Sequence, residues 1–488
     1  MKKLGNTCKE NVAVLKGILT SEDILVFAFE TQDGAACAAI YADGITDKAL
    51  LGEQVARPLS REKTPKTAQE AAKILQAPET KTETDPLKIA DEVLAGNTAL
   101  LIDGVAEAVI IGMKKLSMRA IMEPPGAIAV KGPREGFIED LKTNMSLVRN
   151  RLRTPKLQFK TLTAGKQSKT AIAVGYLDGI ADEEIVKKIV DKIECIEIDG
   201  IPDSSYVAKF LAERPNSLFK PTGTTEKPDV LAAKMLEGRV AILVDGSPIA
   251  LTLPYLLVED FQGAQDYFVS PYRASISRLL RFFGVFVSVF LPAMYVAAQL
   301  FKLQILPLSF LLTISGSVQG IPLSPSLELF FLLLVLEILI EASVRMPKYV
   351  ALALSVIGAL VLGDTAVKAG LVSSSAIIIM ALSGISAYTV PDLVGTTSIL
   401  RLAFVVVAGS IGTFGVLLMT ALVLYYLVTA DAYGVPLLAP FSPLIRRDLK
   451  DSLLKTSMYG LDKRPKVLQS KNKTRLRNKG GKVNHGQN

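Results

Sequence analysis

Few side chains in this 488-residue sequence have the type and spacing that chemistry needs. The one histidine, His485, lies in the C-terminal tail, which leaves imidazole out of any catalytic or metal-binding role expected of the chain. Cys8, Cys37 and Cys195 form no CxxC pair, so neither a zinc ligand set nor a disulfide framework follows. Asp-Gly pairs recur, among them 43–44, 103–104, 178–179 and 245–246. No DxDxDG array and no glycine-rich phosphate loop accompanies them, so they read as turns rather than ligands. No catalytic residue, metal site, cofactor or enzyme activity is expected. What remains is a set of ionisable and hydroxyl side chains inside one long apolar stretch.

That stretch, 282–429, carries ten charges: Lys302, Glu328, Glu337, Glu341, Arg345, Lys348, Asp364, Lys368, Asp392 and Arg401. A bilayer crossing needs ~20 mostly apolar residues, so the block is expected to cross a membrane several times. Ionisable groups at membrane depth face a partner or water. Glu337 and Glu341 stand four apart and share a helix face, with Arg345 one turn on; Asp364 and Lys368 have the same spacing. Glu341 and Arg345 suit the end of a helix, where long side chains reach the interface, which leaves Glu337 as the deeper group. Residues 305–321 are apolar but interrupted by Ser309, Thr313, Ser315, Ser317, Gln319 and glycines, with Pro322 and Pro325 just beyond. This run reads equally as an ordinary weakly polar span or as a broken helix beside a pore. Ala359 lies in a small-residue run, 349–363, that permits close helix approach. These residues are the candidate pore or gating set. Five clear spans and the broken segment leave four or six crossings open.

The elements that would position this block come first in the chain, and they are written twice. PLKIADEVLAGNTALLIDGVAE at 86–107 aligns without a gap with PDVLAAKMLEGRVAILVDGSPI at 228–249. Each spells an amphipathic helix stopped by glycine, an apolar strand, an Asp-Gly hairpin turn and a second strand. CAAIYADGITD at 37–47 matches IAVGYLDGIAD at 172–182 in the same order. After an N-terminal extension, 1–20, residues 20–118 and 157–260 are therefore expected to be two copies of one α/β unit. Residues 63–85, rich in Thr, Lys, Glu and Pro, read as a flexible insertion in the first copy. No apolar run precedes Cys8, so no secretory signal is expected and the α/β half should stay in the cytoplasm.

The connector, 119–157, holds a helix beginning near Arg134 with the apolar stripe Phe137, Leu141, Met145, Val148 and Leu152. Its basic end, Arg149, Arg151 and Arg153, reads equally as a solvated face or as a contact with a partner or lipid. A lead-in helix, 266–282, sets Arg273, Arg278 and Arg281 beside Ile276, Leu279 and Leu280, the pattern of a helix on an anionic membrane surface. Basic residues at both ends of the apolar block place both ends on the cytoplasmic side. The region 430–488 is a basic tail, disordered by composition from Lys463 on, with lipid rather than nucleic acid as its expected contact. The fold class is thus a duplicated α/β cytoplasmic N-terminal module, an all-α polytopic membrane domain of 4–6 segments and a disordered basic tail.

Several ordered pieces resemble one family: VKGPREGFIEDLKTNMSLVRNRLRTPKL at 130–157, LEGRVAILVDGSPIALTLP at 236–254, DYFVSPYRASISRLLRF at 266–282, EASVRMPK at 341–348, GDTAVKAGLVSS at 363–374 and TVPDLVG at 389–395. The chain resembles the A-subunits of spore germinant receptors, the GerA family, which includes SpoVAF-like proteins. The resemblance implies a polytopic protein of the endospore inner membrane that assembles with itself into a ring around a cation path. It further implies a transporter-like B-subunit and a lipoprotein C-subunit, or a paralogue-specific partner, and no nucleic acid. Family A-subunits tend to carry charges before the double proline; here 315–325 has none, which leaves hydroxyls, Gln319 and carbonyls as ligands. A non-conducting scaffold is the alternative. A secondary transporter would show an inverted repeat in the membrane half, and the duplication is confined to the soluble half.

Overall fold

The computed structural model describes residues 4–75, 77, 79–114, 131–301, 316, 318–347, 350, 356, 358 and 361–476. The first α/β unit runs through α1 (Cys8–Ile18), β1 (Ile24–Glu30), β2 (Ala36–Ala42), α2 (Lys48–Leu50), α3 (Arg57–Leu59), α4 (Ala68–Ile74), β3 (Thr80–Glu83), α5 (Pro86–Leu94), β4 (Thr98–Ile102) and β5 (Ala108–Ile111). The second repeats the scheme with α6 (Leu141–Arg151), β6 (Leu157–Ala164), β7 (Thr170–Leu177), α7 (Glu183–Glu194), α8 (Ser204–Leu211), β8 (Gly223–Thr225), α9 (Pro228–Glu237), β9 (Val240–Val244) and β10 (Ala250–Leu253). The strand orders, β1-β2-β4-β5-β3 and β6-β7-β9-β10-β8, are the same walk across five antiparallel strands. β4 and β9 are buried along their whole length because helices cover both faces of each sheet. In the first unit α1 and α5 pack Leu15, Ile89 and Val93 on one face, and Val55, Leu59 and Ala71 fill the other. In the second, α6 and α9 supply Val148, Leu231 and Met235 to one face, and α7 and α8 supply Ile189, Ile193 and Val207 to the other.

Several expectations are corrected. The stretch 63–85 is not a flexible insertion: Thr67 caps α4, and β3 pairs with β5 from Thr80↔Ile111 to Glu83↔Ala108. It supplies the edge strand, as β8 does in the second unit, and its polar composition suits an edge exposed to water. The connector helix α6 belongs to the second unit as α1 belongs to the first. Asp103 Oδ1 accepts the backbone N–H of Cys8 at the start of α1, and Asp245 Oδ1 accepts that of Leu141 at the start of α6. Buried Asn11 and Asn144 each bind, through both amide atoms, the backbone of a residue six positions earlier, Gly5 and Ile138. The Asp-Gly turns are not two-residue hairpins either. In the turns at 103–104 and 245–246 the glycine has positive φ and the aspartate does not, and loops of several residues separate the strands. In each turn the aspartate serves as a distant cap for the unit's leading helix.

The tail expectation also changes. Residues 430–476 fold back on the second unit: Arg464 is buried, and its Nε donates to Leu236 O at 2.6 Å, while Val467 and Leu468 are buried too. Arg447, Lys455 and Arg464 each donate to backbone carbonyls, so composition alone misleads.

The apolar block forms α10 (Pro271–Phe301), α11 (Pro325–Arg345), α12 (Ser374–Ala387), α13 (Val394–Ile411) and α14 (Thr413–Thr429). α10 packs on α12 and α13, and α11 on both of those. Among the described residues, Pro271–Phe301 and Pro391–Ile411 are long and apolar enough to cross a membrane; α12 and α14 are apolar but shorter. The run 402–427 is divided between two helices broken at Gly412, whose φ of 72° few other residues adopt.

Candidate functional site

Between β10 and α10 the chain makes two short helical turns, Leu257–Phe261 and Ala264–Phe268, that place acids under the second unit and against the apolar helices. Glu259 is buried between Arg239, at 2.9 Å, and Lys234, at 2.8 Å. Burial works against its charge, and the two cations outweigh burial, holding its carboxyl below the ordinary range. Asp260 receives the Tyr255 hydroxyl at 2.5 Å and lies 2.6 Å from Lys220 Nζ. Burial nevertheless raises it to about 6, with Lys220 opposing. Lys220 also reaches Asp392, at 3.4 Å, on the Pro391–Leu393 turn that joins α12 to α13. One ammonium therefore ties the α/β unit to the ends of two apolar helices.

A second knot lies at the start of α10. Arg278 is fully buried, with Nε 3.1 Å from Asp266 and Nη1 3.0 Å from Asp451. Arg281 adds a bond to Asp266 at 2.8 Å, and Tyr267 donates to Asp451 at 3.0 Å. Between the two knots is a cavity of about 300 Å³, lined by Lys220, Lys234, Arg239, Glu259, Tyr267 and Asp392 among others. No nucleophile stands beside a base here, and among the described residues no acidic, histidine or cysteine group assembles into a metal site. Buried charges held by several partners act as a lock: removing one partner strands the other in a medium that does not solvate it.

The sequence candidates are placed as follows. Ser309, Thr313, Ser315, Ser317 and Ala359 lie outside the described residues. Gln319 is exposed in the turn before α11. Glu337 meets Arg401, which is almost fully buried on α13 and also donates to Ser383 Oγ at 3.2 Å; Ser383 in turn donates to Ser288 O at 2.7 Å. Three helices are thereby joined through one guanidinium. Glu341 and Arg345 pair with each other in the open, at 2.5 Å, and so do Asp364 and Lys368, at 2.7 Å.

The arginines expected on a partner or lipid surface divide. Arg134, Arg153 and Arg273 are exposed, and Arg151 pairs with Glu135 at 2.7 Å. Arg149 is buried instead, bound to Asp23 at 2.5 Å and to Leu157 O at 3.2 Å, and it fastens α6 to the first unit. Arg278 and Arg281 likewise face inward to acids, which removes them from a headgroup-facing stripe. Sequence reading missed Lys220, Glu259, Asp260, Asp266 and Asp451. The available signal was the acidic pair Glu259-Asp260, set between an apolar strand and an apolar helix where no charge is needed for solubility.

The sequence profile described as Bacillus/Clostridium GerA spore germination protein matches residues 13–467. Spore germination protein KA of Bacillus subtilis is 32% identical over 468 residues, covering 94% of this chain and 86% of that protein. Spore germination protein GerQA of Bacillus cereus is 31% identical over 474 residues, covering 96% and 95%. Among solved structures, the N-terminal domain of the A subunit of the Bacillus megaterium spore germinant receptor GerK3 matches at 25% identity with a TM-score of 0.40, covering 52% of this chain and 98% of that one. The profile spans both α/β units, the junction and the apolar helices, and the chain belongs to the GerA family of spore germination proteins.

Proposed function

We propose that this chain is a membrane subunit of a spore germination complex, an oligomeric cation-conducting channel that opens in nutrient-triggered germination or amplifies it. The supporting observation is the ionic junction: Lys220 spans Asp260 and Asp392, so a displacement of the second α/β unit pulls directly on the α12–α13 turn. The large apolar side chains Phe283, Ile385, Phe414 and Leu417 are each more than 60% exposed, a surface that lipid covers and water does not. In this reading the helices lie in the endospore inner membrane with the α/β units and the C-terminal segment in the cytoplasm, copies of the chain form a ring, and B- and C-type subunits or a paralogue-specific partner complete the complex.

The test is cation release from spores carrying Lys220→Met or Asp392→Asn at normal protein level, together with currents from the reconstituted protein. Slowed release and altered gating are expected. Unchanged release in both variants, with no current from the reconstituted protein, would sink the proposal. A second reading, a non-conducting scaffold, draws on the pairs Glu337–Arg401, Glu341–Arg345 and Asp364–Lys368, which neutralise one another within one chain. A monomer in detergent by light scattering favours that reading.

A further inference from the structure

Glu328 lies in the first turn of α11 and is fully buried. Its Oε1 accepts the backbone N–H of Ser373, the N-cap residue of α12, while its Oε2 has no hydrogen-bond partner. The surroundings are otherwise apolar, with Leu329, Leu332, Val296 and Ala376 in the same core. Ser375 Oγ lies 3.3 Å from Ser373 Oγ and 2.7 Å from the Tyr295 hydroxyl on α10. Gln299, its amide buried, is also within reach of that hydroxyl.

A capping role accounts for one carboxylate oxygen only. The other oxygen is a polar atom left without a partner in an apolar core, where such a group is costly. A buried carboxylate needs a proton or a counter-cation. The N-terminus of α12 attracts negative charge, which favours a counter-cation. As a carboxylate, Glu328 would give the cluster one negative charge, with neutral hydroxyl and amide oxygens around it. A monovalent ion cancels that charge, whereas divalent ions take several carboxylates, and among the described residues no three acidic, histidine or cysteine side chains gather into such a set.

We propose that Glu328, Tyr295, Ser373, Ser375 and Gln299 form a binding site for a dehydrated monovalent alkali cation between α10, α11 and α12. As a resting point for a conducted ion the site rests on the conduction reading above; as a binding site it stands apart from it. The experiment is thermal unfolding of the full chain in nanodiscs, in potassium, sodium or choline chloride at matched ionic strength. The alkali ions should raise the midpoint saturably over choline. Glu328→Gln should abolish that response while unfolding no lower than wild type in choline. Tyr295→Phe leaves the Glu328–Ser373 bond in place and should weaken half-saturation roughly fivefold, the worth of one polar contact. Equal midpoints in choline and alkali salts overturn the site, as does a response retained in Glu328→Gln, or one that follows pH alone and so marks a proton. Stabilisation by alkali ions without any current leaves the site standing and removes conduction; currents without stabilisation do the reverse.

Discussion

Where the first α/β unit has Asn97, the second has Arg239, and where the first has Glu92, the second has Lys234. Asn97 reaches back 2.5 Å to Glu92 at the end of its own helix and goes no further. Arg239 and Lys234 both turn outward to Glu259, in the segment that leads to the apolar helices. The two units share strand order, leading-helix caps and core layout. They differ in that the second has exchanged a local side-chain bond for a charged attachment. Duplication thus produced one copy free to keep an ordinary polar surface and another committed to the membrane half.

The sharpest test of this contrast is a matched pair of substitutions. Arg239→Met leaves Glu259 buried with one cation fewer and should destabilise the protein by about 3–5 kcal/mol, whereas Asn97→Met should cost less than about 1 kcal/mol. Urea midpoints of the two variants check this, and equal losses would erase the distinction between the units.

Asp260 gives the next effect. Its carboxyl, ordinarily near 3.8, stands at about 6 through burial. Between those values the folded chain holds a proton that the unfolded chain has released. Its contribution is therefore full below the window and lost as pH rises through it, on the order of 2–3 kcal/mol. Asp260→Asn should flatten the thermal midpoint between about pH 4 and pH 6 relative to wild type; a slope that persists unchanged assigns the effect elsewhere.

A smaller contrast separates two turns. Gly44 has a φ of 81°, and a Cβ there would sit 2.7 Å from Lys142 O on α6; Gly179, at the matching turn, has a φ of 73° and open space. Gly179→Ala should cost about 1 kcal/mol, from backbone strain alone, and Gly44→Ala clearly more, because the first unit must move off α6. Denaturation of both variants decides it. Smallest is the shared feature: Asp103→Ala and Asp245→Ala should each lose about 1 kcal/mol of leading-helix stability, equally, by amide exchange of α1 and α6.

Much of the α/β architecture was legible because short-range signals agreed. Pro at the first helical position, glycine past the last, and an uninterrupted apolar strand located α5–β4 and α9–β9 in both copies. The errors share a cause. Arg149 and Arg278 look like surface charges because their partners, Asp23 and Asp451, stand 126 and 173 residues away, and spacing along one helix cannot show them. Residues 63–85 look like a linker because an edge strand has little apolar content. Glu337 was readable as a group in need of a partner, but which charge would meet it depended on helix packing. The Glu328 site was not readable at all, since Tyr295, Gln299 and Ser373 become neighbours only when three helices close.

Arg464, which seats its guanidinium on the carbonyls of Leu236, Asn472 and Thr474, has a consequence for the order of synthesis. α9 is made more than two hundred residues before the arginine that closes its end, and Glu259, Asp260 and Asp266 leave the ribosome well ahead of Asp392 and Asp451. The first unit waits only for α6, whose Arg149 closes on its buried Asp23. The second must wait, incomplete, until the residues that close it, Asp392 and Arg464, have emerged with and after the apolar helices.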